Sequence, residues 1–335
     1  MPLTDKGLAF NRKTELYIGI FKDDAQASNS GYLIDNLHYE FEITRSTEFY
    51  KDTATFTVYS PNRETTAEIM DSGCAVLFKA GYDGLIGTVF VGQIATAYPE
   101  DDDPTAQKLV IVCNSQRGAQ YPLQRTAIVR LFKEGDSYYD VLKGIADYVG
   151  VPLSGAEVLK SIKLETGYLA NGPVRDEVEF FVEKFLRPIG GKVIISNNEM
   201  IYLDRNYNAK FETVFLDYST GLVSAKARRD EKYQSSEDAF SENMDFYLGL
   251  KEIDDPEVRK RKSLERSVEP LNEVDFECLI NPGIQVGSPI YIDARKNEND
   301  SLSVLGKFYV TELHYNGDNF GGNFSLTGKA VEKRV

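Results

Sequence analysis

"CAVLFKAGYDGLIGTVFVGQI", residues 74–94, decides how the chain is read. Two apolar runs of strand length flank Tyr82-Asp83-Gly84, and an Asp-Gly pair supplies the backbone conformation that a tight hairpin turn needs. Earlier runs share the two-residue period of half-buried strands: Leu16, Ile18 and Ile20, then Leu37, Tyr39, Phe41 and Ile43, then Phe56 and Val58. Downstream, a polar loop "YPEDDDPTAQ" (98–107) leads to one more strand, "KLVIVCNS" (108–115). Residues 1–125 are therefore expected to form an antiparallel β-barrel.

The period then changes. In "GDSYYDVLKGIADYVGVP" (135–152), Val141, Leu142, Ile145, Tyr148 and Val149 recur at helical spacing. Ser137 with Asp140 forms a capping-box pattern, and Gly150 and Pro152 mark the stop. A second helix is expected in "GPVRDEVEFFVEKFLRPIGG" (172–191), with Val174, Val178, Phe181 and Phe185 as one stripe ended by Pro188. "KVIISNNEMIYLDR" (192–205) reads as a hairpin turning at Asn197-Asn198. These elements make residues 126–212 an α+β domain. "VFLDYSTGLVSAKARR" (214–229) follows as a strand and a turn. Residues 226–272 are highly charged and read as an exposed insertion without a binding motif. From Val274 the β alternation returns, and residues 213–335 are expected to be a second β-barrel.

The last region echoes the first. "SGCAVLFKA" (72–80) matches "VGSPIYIDA" (286–294), and "GTVFVGQI" (87–94) matches "GKFYVTEL" (306–313). Each is followed by a polar loop and a closing strand, "KLVIVCNS" or "NFSLTGKA" (323–330). A common element order points to duplication. The expected fold class is mainly β with an α+β insertion: two similar antiparallel β-barrel domains plus a small α+β domain.

Composition narrows function. Lys and Arg number 38 against 52 Asp and Glu, a net charge of -14, which argues against a protein that grips nucleic acid. Met1 to Lys6 lacks the basic and apolar segments of a signal peptide, so synthesis in a cytoplasm is expected. No apolar stretch approaches the ~18 residues of a membrane span. Cys74, Cys113 and Cys278 lie far apart in apolar or strand-like runs and read as buried free thiols.

No catalytic, cofactor-binding or metal-ligating set emerges. The Gly-rich tip within "LHYNGDNFGGNFSLTGKA" (313–330) lacks a Walker Lys-Ser/Thr and opens no helix, so it reads as a hairpin turn. Only His38 and His314 are present, without zinc-ligand spacing or a nucleophile elbow. Glu100 and Asp101–Asp103 are consecutive rather than alternating, which fits a solvated loop better than a calcium loop. Trp, a common sugar-stacking residue, is absent.

The ordered series "PNRETTAEIMDSGCAVLFKAGYDGLIGTVFVGQI" (61–94), "KLVIVCNSQRGAQ" (108–120), "FKEGDSYYDVLKGIADYVGVP" (132–152), "LDYSTGLVSA" (216–225), "CLINPGIQVGSPIYIDA" (278–294) and "GKFYVTELHYNGDNFGGNFSLTGKA" (306–330) resembles the tail or baseplate hub proteins of tailed bacteriophages. These are related to hubs of contractile injection systems and to the hub part of type VI secretion spike proteins. The resemblance implies a non-enzymatic homotrimer whose six barrels form a ring in the virion baseplate. It also implies a tail tube protein, a central spike protein, other baseplate proteins and a tape measure protein as partners. DNA would pass through without specific binding, no cofactor would be needed, and the chain would not insert into a membrane. The competing reading is a tail-associated β-protein that binds or degrades carbohydrate, which would need a cleft of stacked tyrosines.

Overall fold

The computed structural model describes residues 11–19, 31–34, 36–47, 52–70, 75–100, 107–115, 127–197, 199–204, 211–228, 273–295 and 304–332. Ile20, Cys74, the Asp101–Asp103 run and the charged stretch from residue 229 lie outside them.

The first region contains β1 (Arg12–Gly19), β2 (Gly31–Ile34), β3 (Tyr39–Ser46), β4 (Thr53–Tyr59), a short helix α1 (Arg63–Met70), β5 (Ala75–Tyr82), β6 (Leu85–Glu100) and β7 (Lys108–Asn114). The strands pair in the order β2-β1-β5-β6-β7-β4-β3, all antiparallel. Alternation does what the sequence requires: Tyr39, Phe41 and Ile43 face the core while Glu40 and Glu42 face water. Phe78 of β5 packs against Phe41 and Phe56, with ring centroids 4.7 and 5.2 Å apart.

The β5–β6 hairpin turns at Asp83-Gly84 as expected, with Gly84 at φ +80°. Gly81 is required beside it, since a Cβ there would sit 2.0 Å from the Leu85 carbonyl oxygen. One expectation is corrected here. Tyr98, Pro99 and Glu100 are not loop but the end of the long strand β6. Among the described residues, nothing pairs with the β5 side of β6 beyond Gln93, and an open edge is where a strand tolerates proline.

The middle region holds β8 (Ala127–Phe132), α2 (Tyr138–Val149), β9 (Leu153–Ser154), β10 (Tyr168–Pro173), α3 (Val174–Phe181), β11 (Lys192–Ser196) and β12 (Glu199–Leu203). The α2 cap forms as read: Asp140 N–H donates to Ser137 Oγ at 3.1 Å, and the Asp140 carboxylate accepts from Ser137 N–H at 2.9 Å. Gly150 closes the helix in the left-handed region. The second helix is shorter than its pattern. After Phe181 the backbone passes through a π-helical turn (Val182–Leu186) and a 3-10 turn containing Pro188. The wider turn leaves Phe185 half-buried and turns Leu186 into the core with Val174, Val178 and Phe181. These side chains share one apolar cluster with Val141, Leu142 and Ile145 of α2.

The last region contains β13 (Val214–Asp217), β14 (Leu222–Arg228), β15 (Glu273–Cys278), β16 (Pro289–Asp293), β17 (Leu305–Asp318) and β18 (Phe324–Glu332). Its ladder β14-β15-β18-β17-β16 reproduces β3-β4-β7-β6-β5 strand for strand. The registers match too. Ala54↔Cys113 is answered by Val274↔Ala330, Val76↔Gly92 by Ile290↔Phe308, and Ile43↔Ala54 by Ala227↔Val274. A β-bulge interrupts both long strands at the same point, between Ile94 and Thr96 and between Val310 and Glu312.

The pairing also corrects the sequence echo. Gly306 pairs with Ile292, the counterpart of Phe78, so Gly306 answers Phe90 and not Gly87. Two glycines drew the alignment three residues out of register. The repeats differ at their outer strand, because β1 runs antiparallel to β5 whereas β13 runs parallel to β16. They are also fused: β17 pairs with β3, making one 13-stranded sheet over a single apolar cluster.

Candidate functional site

The feature that organises the molecule is the joint where the repeats meet. After its bulge, β17 runs antiparallel to β3 from Glu312↔Ser46 to Asp318↔Glu40. Large side chains fill the inner face: Leu313 and Tyr315 from one strand, Phe41, Ile43 and Arg45 from the other, all buried. The Tyr315 hydroxyl donates to the Ile284 carbonyl at 3.1 Å, and burial pushes its phenol up to about 12. On the outer face, His314 lies 3.1 Å from Thr44 Oγ1 through Nδ1 and 2.9 Å from Glu312 Oε1 through Nε2. Lys329 donates to the other Glu312 oxygen and, as the main cause, holds that carboxyl below its ordinary range.

Arg45 ties this joint to the middle region. Its guanidinium donates to the Val89 carbonyl at 3.0 Å and to the Ser196 hydroxyl, while Ser196 donates to Asp52 at 2.9 Å. Asp52 also accepts from Ser46 N–H at 2.9 Å, and its Oδ2 lies 3.5 Å from Arg45 Nε. Burial raises the Asp52 carboxyl against the pull of Arg45, the Ser46 amide and the Ser196 hydroxyl. The neighbouring Asn197 accepts from Val91 N–H at 3.2 Å, and Lys192 donates to Thr47. Ile194, Ile201 and Leu203 of the same hairpin enter the core of the large sheet. The β11–β12 hairpin is thus plugged into the fused sheet through a buried polar cluster with an apolar collar. The signal for it was Arg45 standing in the inward phase of "YEFEITRS", a position that alternation reserves for apolar side chains.

Opposite the core, the fused sheet presents a polar face with two shallow depressions. One is lined by Glu40, Glu42, Thr55, Thr57, Asn316 and Asp318. The other is lined by Ser224, Lys226, Asp275, Glu277, Thr327 and Lys329. Glu40, Glu42, Thr55 and Thr57 are the register counterparts of Ser224, Lys226, Asp275 and Glu277, so the same face recurs in each repeat.

The glycine-rich tip is the β17–β18 turn. Asp318 accepts from the N–H groups of Phe320 and Gly321 at 2.7 and 2.6 Å. Asn319 accepts from Tyr39 N–H and donates to the Leu37 carbonyl, which fastens the tip to the start of β3. The Asp318 carboxylate and the Asn319 amide are thereby engaged by the chain itself. His38 precedes β3 and stacks on Tyr59 at 4.6 Å, 13° from parallel. Cys113 and Cys278 are buried free thiols, their pKa values raised by burial. Among the described residues no group of three or more His, Cys, Asp and Glu is arranged to hold a metal ion, and no helix is long and apolar enough to cross a membrane.

No family model matches the sequence, and no curated protein matches it. Solved structures do. A tail protein from Neisseria meningitidis MC58 matches with a TM-score of 0.57 and 11% identity, over 96% of this chain and 97% of that one. The 43 kDa tail protein of prophage MuSo2 from Shewanella oneidensis matches with 0.58 and 10%, over 96% and 99%. An E. coli protein described as a component of the type VI secretion system, similar in structure to the T4 bacteriophage tail proteins gp27 and gp5, matches with 0.51 and 11%, over 89% and 74%. The chain therefore has the mainly β fold of these tail and secretion-system proteins.

Proposed function

We propose that this chain is a structural hub of a phage-type tail, acting as a trimeric ring between the tail tube and the central spike. One observation carries the proposal: two repeats with the same strand order, registers and bulge are fused edge to edge. Two quasi-equivalent units per chain allow three chains to present six similar faces, which lets a threefold assembly match a sixfold tube. Division near residues 125 and 212 leaves the α+β region as a bracket that holds the first repeat through Arg45 and Asp52. The similarity to tail proteins over nearly the whole chain supports the same reading. The hub has no catalytic task and sits in the virion baseplate, where the tape measure and other baseplate proteins would meet it.

The recurring polar face lines the channel in this reading. Its carboxylates, among them Glu40, Glu42, Asp275 and Glu277, repel a passing DNA backbone instead of binding it. Negative-stain imaging of the purified chain, alone and with its spike protein, tests the assembly. A ring with six-lobed density around a central channel is expected. Isolated particles without a channel in both preparations would contradict it. Replacing Glu40, Glu42, Asp275 and Glu277 by Lys should slow DNA ejection from assembled tails, and unchanged ejection would sink the channel-lining role.

A further inference from the structure

The closed joint inside the chain has an unfilled counterpart. On β17, one edge is shared by β16 and then, past the bulge, by β3. On its counterpart β6, one edge is paired with β5 up to Gln93, and past the bulge it meets no strand among the described residues. On β3, the edge away from β4 is covered by β17; on its counterpart β14, the edge away from β15 meets no strand among the described residues. Among the described residues, each chain therefore leaves one edge of each kind unpaired.

We propose that β6 of one copy takes up β14 of a second copy, in the register of the closed joint. The inference rests on the ring reading above and specifies its contact. The register is fixed by the repeat. His314↔Thr44 in the closed joint becomes Tyr98↔Arg228, and Asn316↔Glu42 becomes Glu100↔Lys226.

That register, fixed by the backbone repeat alone, sets an acid opposite a base. Directly opposed unlike charges stabilise a strand pair, and an arginine facing a tyrosine ring adds a cation–π contact. Tyr98, Lys226 and Arg228 are exposed in the single chain, where Arg228 pairs with Asp275 of β15, so all three lie within reach of such an edge. Pro99 withholds one N–H from the ladder, which weakens accidental pairing with foreign strands while leaving its carbonyl available. Because the two edges differ, the contact is head-to-tail and generates a closed ring or an open filament.

Cross-linking tests both the contact and the register. His314 and Thr44 side chains touch at 3.1 Å, so their counterparts suit a disulfide. The full chain carrying Tyr98→Cys and Arg228→Cys is oxidised and run without reductant. The single variants and the slipped pair Tyr98→Cys with Lys226→Cys serve as controls. A covalent trimer from the in-register pair alone is expected. No cross-link from that pair would overturn the edge pairing, and if imaging still showed rings the hub reading would survive it. An unending covalent ladder would uphold the edge pairing and overturn the closed ring. In a second arm, Glu100→Lys weakens association about tenfold and adding Lys226→Glu restores it. Failure of that rescue would overturn the register.

Discussion

The closed joint and the open edges are built on counterpart strands that carry different side chains. Inside the chain, Leu313 and Tyr315 meet Phe41 and Ile43, and all four are buried. At the counterpart positions stand Ala97 and Pro99 on β6, and Ala225 and Ala227 on β14. A permanent joint can be built from large apolar residues because it is never exposed after folding. On the proposed pairing, an edge that waits for a second copy must remain soluble, which accounts for its small residues, its proline and its opposed charges. On that proposal the fold separates what holds one chain together from what joins chains.

The largest expected effect breaks the closed joint at its buried charge. Arg45→Met strands Asp52 without its cation and should cost about 3–5 kcal/mol in denaturant unfolding. Adding Asp52→Leu should recover most of that loss, since a buried pair is often replaceable by apolar groups. A double variant no better than the single one would mean that Arg45 acts through packing alone. Next, Leu313→Ala should cost about 2–5 kcal/mol, whereas Ala97→Ser at the counterpart position should change the stability of the single chain by less than about 0.5 kcal/mol. Equal costs at the two sites would erase the distinction between the joints.

A change remote from both joints calibrates the comparison. Ser137→Ala removes the α2 cap and should cost about 1 kcal/mol without altering association, read by thermal unfolding and light scattering. The smallest effect concerns pH. Glu312 has its carboxyl held below the ordinary range, first by the Lys329 hydrogen bond. Its contribution is present above the unfolded value of about 4.3 and is lost as pH falls through the lower folded value. It is partly exposed, so Glu312→Gln should lower stability at pH 7 by only a few tenths of a kcal/mol. That gap should close in thermal unfolding curves recorded towards pH 3, and a gap that widened would reverse the assignment.

Much of this was legible where the signal is local. The Asp83-Gly84 turn, the Ser137–Asp140 cap and the inward phase of Tyr39, Phe41 and Ile43 follow from neighbouring residues, and the structure forms them as read. The joint was not legible, because β17 and β3 are about 270 residues apart and their pairing depends on register rather than composition. Matching glycines then misplaced the repeat by three positions, since Gly87 faces Ala80 and Gly306 faces Ile292, which are different register positions of the two ladders. Pro99 read as a loop marker because proline is excluded from paired strands but not from an open edge. Arg45 carried a signal that alternation alone cannot interpret, as it shows a charge facing inward without showing what neutralises it.

On the proposed pairing, this chain completes its sheet with copies of itself. Light scattering of the purified wild-type chain across a wide concentration range tests it most directly. The account predicts a particle of three chains, reduced towards the single-chain mass by Glu100→Lys. A single-chain mass at every concentration, unchanged by that substitution, would contradict it.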